Sequence, residues 1–299
     1  MMQRLIYILT FVATLTLSSC ETDSDIELNE VNNYVLTALV YPDSVVNVYA
    51  YKSVSYDSKV DYVPIANAYV AMSINDVVVD TLSLLSNNYR ITFAQHNIAS
   101  GDKVRISVVD NSQKQLCSAT TTMLAPLPIS DVSYSVQTSD TDTLQNITIS
   151  FSEPAETIDY YQIKARLHEQ LSDGTEIIRP LECDFYDYLF YIAKSTLNIT
   201  NTSMPDGIFT DELTNGRNTR ISFNIAQRNL VPTQNNSELT LEILLYRHTY
   251  DYYNFLLTSY MVREYLILPV FGVSSVYSNV ENGVGIVSGM AVSTYKLNL

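Results

Sequence analysis

A mainly-β chain, built as two tandem antiparallel β-sandwiches with one amphipathic helix, is the architecture the sequence predicts. Three observations carry it. Short runs alternate apolar and polar residues and are split by turn residues. Two prolines break the chain at Pro126 and Pro128. One stretch, near 249–264, changes its apolar period from two residues to that of a helix.

The elements follow in order. Segments 35–40 and 46–51 read as strands. Val70, Met72 and Ile74 alternate with Tyr69, Ala71 and Ser73, and Asn75-Asp76 turns the chain into 77–79 as a hairpin. Tyr89, Ile91 and Phe93 alternate with polar neighbours, and Ser100-Gly101-Asp102 leads into Val104, Ile106 and Val108. Regular short strands of this kind predict a first sandwich over 31–125. Past the prolines, Ile147, Ile149 and Phe151 share one face, as do Tyr161, Ile163, Ala165 and Leu167. Later strands come from Ile221, Phe223 and Ile225 and from Leu239, Leu241, Ile243 and Leu245. These predict a second, fibronectin-III- or immunoglobulin-like β domain over 129–299, interrupted by an irregular insertion at 170–218. In the helical stretch, Tyr253, Leu256, Leu257, Tyr260 and Met261 form one apolar stripe, with Asp251 in the first turn and His248 expected to open it, solvated or capping.

The first residues read differently. Arg4 is the only charge before Cys20, and the apolar run 5–17 is shorter than the ~20 residues that span a bilayer. Residues 1–19 therefore read as a secretory signal. Leu17-Ser18-Ser19-Cys20 resembles a bacterial lipobox, in which the cysteine sulfur takes a diacylglycerol and becomes the first mature residue. Several acyl chains, at ~0.8 kcal/mol per buried methylene, give a firm anchor. An acidic tether, 20–30, follows with Glu21, Asp23, Asp25 and Glu27; it resembles the export signal of lipoproteins that face outward from the outer membrane.

Composition excludes one class of partner. With 17 basic and 32 acidic residues, net charge −15, and no basic stripe, the chain is unsuited to nucleic acid. It holds 23 Tyr but 9 Phe and no Trp. Tyrosine fits half-buried sheets and contact surfaces alike. The densest cluster is 184–193, with Tyr186, Tyr188 and Tyr191. Together with Tyr250, Tyr252 and Tyr253 it forms the candidate binding face, suited to a sugar, a peptide or a protein partner. Cys117 and Cys183 are a candidate disulfide in an oxidising envelope and equally readable as two buried thiols.

The segments 65–76, 209–225, 244–260 and 274–295 resemble, in this order, a family of bacterial surface lipoproteins catalogued as domain of unknown function 4249. The resemblance implies a lipid-anchored outer-membrane protein working as an accessory beside a TonB-dependent transporter.

Motifs for catalysis are not found. No GxSxG, HExxH, P-loop or CxxC occurs, and His96, His168 and His248 are scattered. The sequence therefore assigns no catalytic residue, no metal ligand and no cofactor. Segments 139–146 and 205–212 hold oxygen donors without the full spacing of a calcium loop. The expected function is that of a non-enzymatic binding or accessory lipoprotein. A surface adhesin or structural protein is the alternative, and an unrecognised hydrolase stands behind both.

Overall fold

The computed structural model describes residues 33–55, 58–84, 89–138, 143–190, 207–235, 237–265 and 275–299. The signal, Cys20, the acidic tether and Tyr191 lie outside them. Strands dominate: β1 (Tyr34–Val40), β2 (Val46–Lys52), β3 (Ala68–Ile74), β4 (Val77–Ser83), β5 (Arg90–Phe93), β6 (Lys103–Asp110), β7 (Gln115–Thr122), β8 (Asp131–Thr138), β9 (Thr143–Ser152), β10 (Tyr160–Gln170), β11 (Glu176–Leu181), β12 (Ile208–Thr210), β13 (Asn218–Ala226), β14 (Glu238–His248) and β15 (Val284–Asn298). Among the described residues an α-helix, α1 (Tyr250–Tyr265), joins them, with a 3-10 turn at Gln227–Asn229 and helical residues at 188–190.

Local chemistry explains the local pairings. Asn75 and Asp76 both take positive φ, 49° and 65°, the conformation that a tight hairpin turn requires, and Ile74 pairs with Val77. Thr249 starts α1: its hydroxyl accepts the Tyr252 N–H at 3.3 Å. The stripe of the helix buries Tyr253, Leu257 and Tyr260, with Ile208 and Tyr160 beneath its first turns.

Three sheets make two packed layers. A large sheet runs β11-β10-β14-β15-β1-β2-β5, with β12 added on β10. A four-stranded sheet, β4-β3-β6-β7, covers its β1-β2-β5 end. A three-stranded sheet, β13-β9-β8, covers the other end. The first core packs Leu36, Val48, Met72, Phe93 and Ile106; the second packs Ile149, Phe151, Tyr161, Phe209 and Phe223. Burying such side chains supplies about 1.5–3 kcal/mol each against their exposed state.

The predicted division into 31–125 and 129–299 does not describe the large sheet. β15 is one strand in two sandwiches. Its first half pairs parallel with β1, from Val35↔Val284 to Val40↔Gly289. Its second half pairs antiparallel with β14, from His248↔Met290 to Thr240↔Asn298. The chain's last strand thus completes the layer begun by its first. Glycine permits this: Gly285 sits at φ +126°, and a Cβ there would strike the Leu36 carbonyl oxygen.

The described parts of the insertion, 170–190 and 207–218, are more ordered than their composition predicts. β10 runs to Gln170, and β11 returns beside it across a turn with Gly174 at φ +87°. β12 pairs with the start of β10. His248 also departs from expectation: it ends β14, 1% exposed, and does not cap the helix.

Candidate functional site

The structure divides the tyrosine face predicted from sequence. Tyr186 and Tyr188 are exposed, and the Tyr186 hydroxyl accepts from Asn146 Nδ2 on the solvent side of β9. Tyr250 is exposed too, but it leans on Tyr160, which points out of the opposite sheet because its neighbour Tyr161 points in. Tyr253 is buried under α1, and Tyr252 packs against His248. The helix and the small sheet flank the second sandwich from opposite sides, so these rings form two patches and no single face.

A tighter aromatic group lies on β2 and its neighbours, away from the helix and the insertion. Tyr49 and Tyr51 point outward from β2, because Val46, Val48 and Ala50 point inward. Tyr62 and Tyr89 join them, with ring centroids 4.4–6.0 Å apart. Arg90 stands 5.9 Å over the Tyr49 ring. Lys52, at the end of the same strand, stands 5.4 Å over Tyr34. All four rings are half-buried to exposed, at the open edge of the large sheet. Such a platform offers π faces, hydroxyls and cations together. Its signal was the outward parity of Tyr49 and Tyr51, visible only once the inward residues are fixed.

The candidate disulfide is corrected. Cys117 and Cys183 are free, one inside the first core and the other against the second. Burial pushes both thiols up to about 12, so neither is a nucleophile at neutral pH. Cys183 lines an open cleft of about 280 Å³ with Glu182, Asp184, Asn224 and Arg228.

The unforeseen feature is a polar layer at one end of the second core. Inward parity runs Ile147, Ile149, Phe151 and then Glu153. It runs Asp159, Tyr161, Ile163 on β10 and Phe209, Asp211 after β12. On β14 it reaches Arg247 after Leu245, and on β13 it begins at Thr219 before Ile221. Each strand therefore ends its apolar series with a polar side chain aimed at the same space. Glu153, Asp159 and Asp211 are 7%, 6% and 0% exposed, and a carboxylate oxygen from each lies within 4.8 Å of the others.

One arginine nitrogen, Arg247 Nη2, donates to both Asp159 oxygens at 2.7 Å. The Tyr161 hydroxyl donates to Glu153 Oε2 at 2.5 Å. Asp211 Oδ1 accepts the Asp159 N–H at 2.8 Å. Burial is the main reason that Glu153 is pushed up to about 7; the Tyr161 hydrogen bond opposes it and the neighbouring carboxylates add to it. Burial likewise raises Asp211. The sequence reading found one member of this group, inside the oxygen-rich stretch 205–212. The other two are spread over other strand ends and carry no local motif.

The fold and these features define a β-sandwich protein whose chemistry-bearing groups are an aromatic surface and a buried carboxylate layer. The chain belongs to the family described as Domain of unknown function (DUF4249), whose model matches residues 21–296. No curated protein matches it. Among solved structures, a two-domain fibronectin type-III segment from chicken tenascin is 12% identical. It covers 71% of this chain and 90% of its own, at a TM-score of 0.21. A structure titled as manganese lipoxygenase of Gaeumannomyces graminis with part of zonadhesin of Komagataella pastoris is 11% identical, covering 90% and 96%, at 0.14. Likenesses at these scores carry no argument about function.

Proposed function

We propose that the chain is a lipoprotein held at the outer membrane by acyl chains on Cys20, facing outward, and that its β body is a non-enzymatic binding or accessory component beside a TonB-dependent transporter. The observation that carries this reading is the seam at 15–25. There an apolar run meets small residues, a single cysteine and an acidic tether in immediate succession. Among the described residues no helix is long and apolar enough to cross a membrane. The platform of Tyr49, Tyr51, Tyr62 and Tyr89 suits a sugar or peptide ligand, since rigid rings give contact area at little entropic cost.

Mass spectrometry of the protein from its native envelope tests the anchor. Cys20 is expected as the first residue, carrying acyl groups, and Cys20→Ala is expected to leave the membrane fraction. An unacylated chain, or one still preceded by residues 1–19, overturns the reading. Detergent co-purification at native expression tests the partner: recovery without any barrel transporter removes the accessory role. Tyr49→Ala with Tyr89→Ala is expected to weaken capture of its ligand at least tenfold, with folding unchanged. Equal capture moves the ligand elsewhere.

A further inference from the structure

We infer that Glu153, Asp159 and Asp211 form a binding site for one divalent cation of the calcium class, clipping together the β9–β10 loop and the turn after β12. The argument begins with charge. Three carboxylates face one arginine at the buried end of the second core. Arg247 is committed to Asp159, so the ionised group carries two negative charges with no cation to balance them. Burial of uncompensated charge is costly, and one dication cancels it.

Orphaned oxygen atoms give independent support. Among the described residues, the buried polar side-chain atoms without a partner include Glu153 Oε1, Asp211 Oδ2, Thr214 Oγ1, Asn215 Oδ1 and Thr219 Oγ1. These five are oxygens at this end of the sandwich, where they outnumber the single orphaned donor described there, Arg247 Nε. Thr214 and Thr219 are 8% and 3% exposed, so water does not freely satisfy them. Thr219 lies on the inward face of β13 directly across from Phe151, one inward step before Glu153. Buried oxygens left without hydrogen bonds are rare in folded proteins and call for an explanation. A hard cation supplies one, because it takes lone pairs that no donor fills.

The donor set selects the metal. The cluster is three carboxylates with no histidine or thiolate, and the orphaned oxygens at the same end are hydroxyl and amide, which is the chemistry of Ca²⁺ and unlike that of Zn²⁺. Ca²⁺ accepts an irregular set of 6–8 oxygens, whereas Mg²⁺ demands near-ideal octahedral geometry. Carboxylates from two loops, each already shaped by its own strand ends, fit the first better. The way in is short. Residues 155–158, between Glu153 and Asp159, and Glu212 and Leu213, next to Asp211, are exposed.

The clip has a structural consequence. Asn215 Nδ2 donates to the Thr157 carbonyl at 2.9 Å, the Glu153 N–H to the Arg217 carbonyl at 2.9 Å, and Arg247 Nη1 to the Ala125 carbonyl at 3.4 Å. The cation therefore sits where two loops and the interdomain proline segment converge.

The experiment uses the full mature chain after treatment with EDTA. Equilibrium dialysis against ⁴⁵Ca²⁺ is expected to show one ion per chain, with a Kd in the range of about 0.1–1 mM typical of extracellular calcium modules. Millimolar Ca²⁺ is expected to raise Tm by several degrees over Na⁺ at equal ionic strength, and Mg²⁺ to raise it less. Glu153→Gln and Asp211→Asn should each abolish both responses while melting in EDTA no lower than the parent, since each removes an uncompensated charge. If Asp211→Asn fails to fold, Glu153→Gln decides alone. Absence of bound Ca²⁺ and of any shift in the parent chain overturns the inference and leaves protonation of Glu153 as the way the charge is balanced. Unchanged responses in Glu153→Gln also overturn it, and a larger Mg²⁺ response overturns the choice of metal. None of these outcomes depends on the anchor or the transporter.

Discussion

Arg247 shows how one residue holds a polar layer inside an apolar core. Its guanidinium meets the three buried carboxylates Glu153, Asp159 and Asp211 and is committed to Asp159 through both oxygens. Removing one partner of such a pair leaves a buried charge. Arg247→Met is therefore expected to destabilise by about 3–5 kcal/mol, measured by urea unfolding. His248, the next residue, carries the opposite lesson about charge. Its ring lies between Tyr246 and Tyr252, and burial, assisted by Lys164, lowers it to about 3. The unfolded chain binds a proton there below about pH 6.5 that the folded chain refuses. Stability is thus complete above that pH and is lost as pH falls through the window down to about 3. His248→Gln is expected to flatten this acid slope, read from urea midpoints at several pH values. His168 works the other way. Glu176 and Glu242 accept from its two ring nitrogens and raise it, so its contribution is present below about pH 6.5 and is lost as pH rises through the folded value. None of these roles was legible from sequence. His248 sits two residues before a helix, and its inclusion in the β14 ladder, opposite Met290, with 1% exposure, shows that it is core.

At the scale of elements, legibility followed sequence distance. The Asn75-Asp76 hairpin, the inward series of β10 and the stripe of α1 each depend on residues within a few positions, and the alternation exposes them. Glu169 illustrates what alternation misses. Burial raises its carboxyl, yet hydrogen bonds from Ser237, Thr233 and Gln234 outweigh this and hold it at about 2. It pins the β13–β14 loop from a distant strand, and no motif marks it. The β1–β15 pairing lies further still from local view, joining Val35 to Val284. Its weak point is Gly285. Both the positive φ and the nearby Leu36 carbonyl oppose a side chain there. Gly285→Ala is expected to cost at least about 1–3 kcal/mol by urea unfolding. A substitution at Gly101, also at positive φ but with open space around its α-carbon, carries only the backbone part of that cost and is the control.

For the whole molecule, the shared strand decides how it unfolds. Two tandem sandwiches joined by a proline segment would melt separately, because domain interfaces within a chain are commonly modest. Here the large sheet is continuous through β14, β15 and β1, and its backbone ladder crosses from one core to the other. Opening either sandwich strips hydrogen bonds from a strand that the other also needs. The chain is therefore expected to lose its sheet signal in far-ultraviolet circular dichroism and its tyrosine fluorescence in one coincident urea transition. The 23 tyrosines report on both sandwiches and no tryptophan intrudes. Two resolved transitions would show that the ladder at Val284 to Gly289 contributes little. A chain ending at residue 283 sharpens the test. It removes the β14 partner over nine residue pairs and the β1 partner over six. If the sandwiches are coupled, neither survives: proton exchange should be fast in β2 and β10 alike. Protection persisting in β10 alone would mean that the second core stands without its last strand, and coupling would then run only one way.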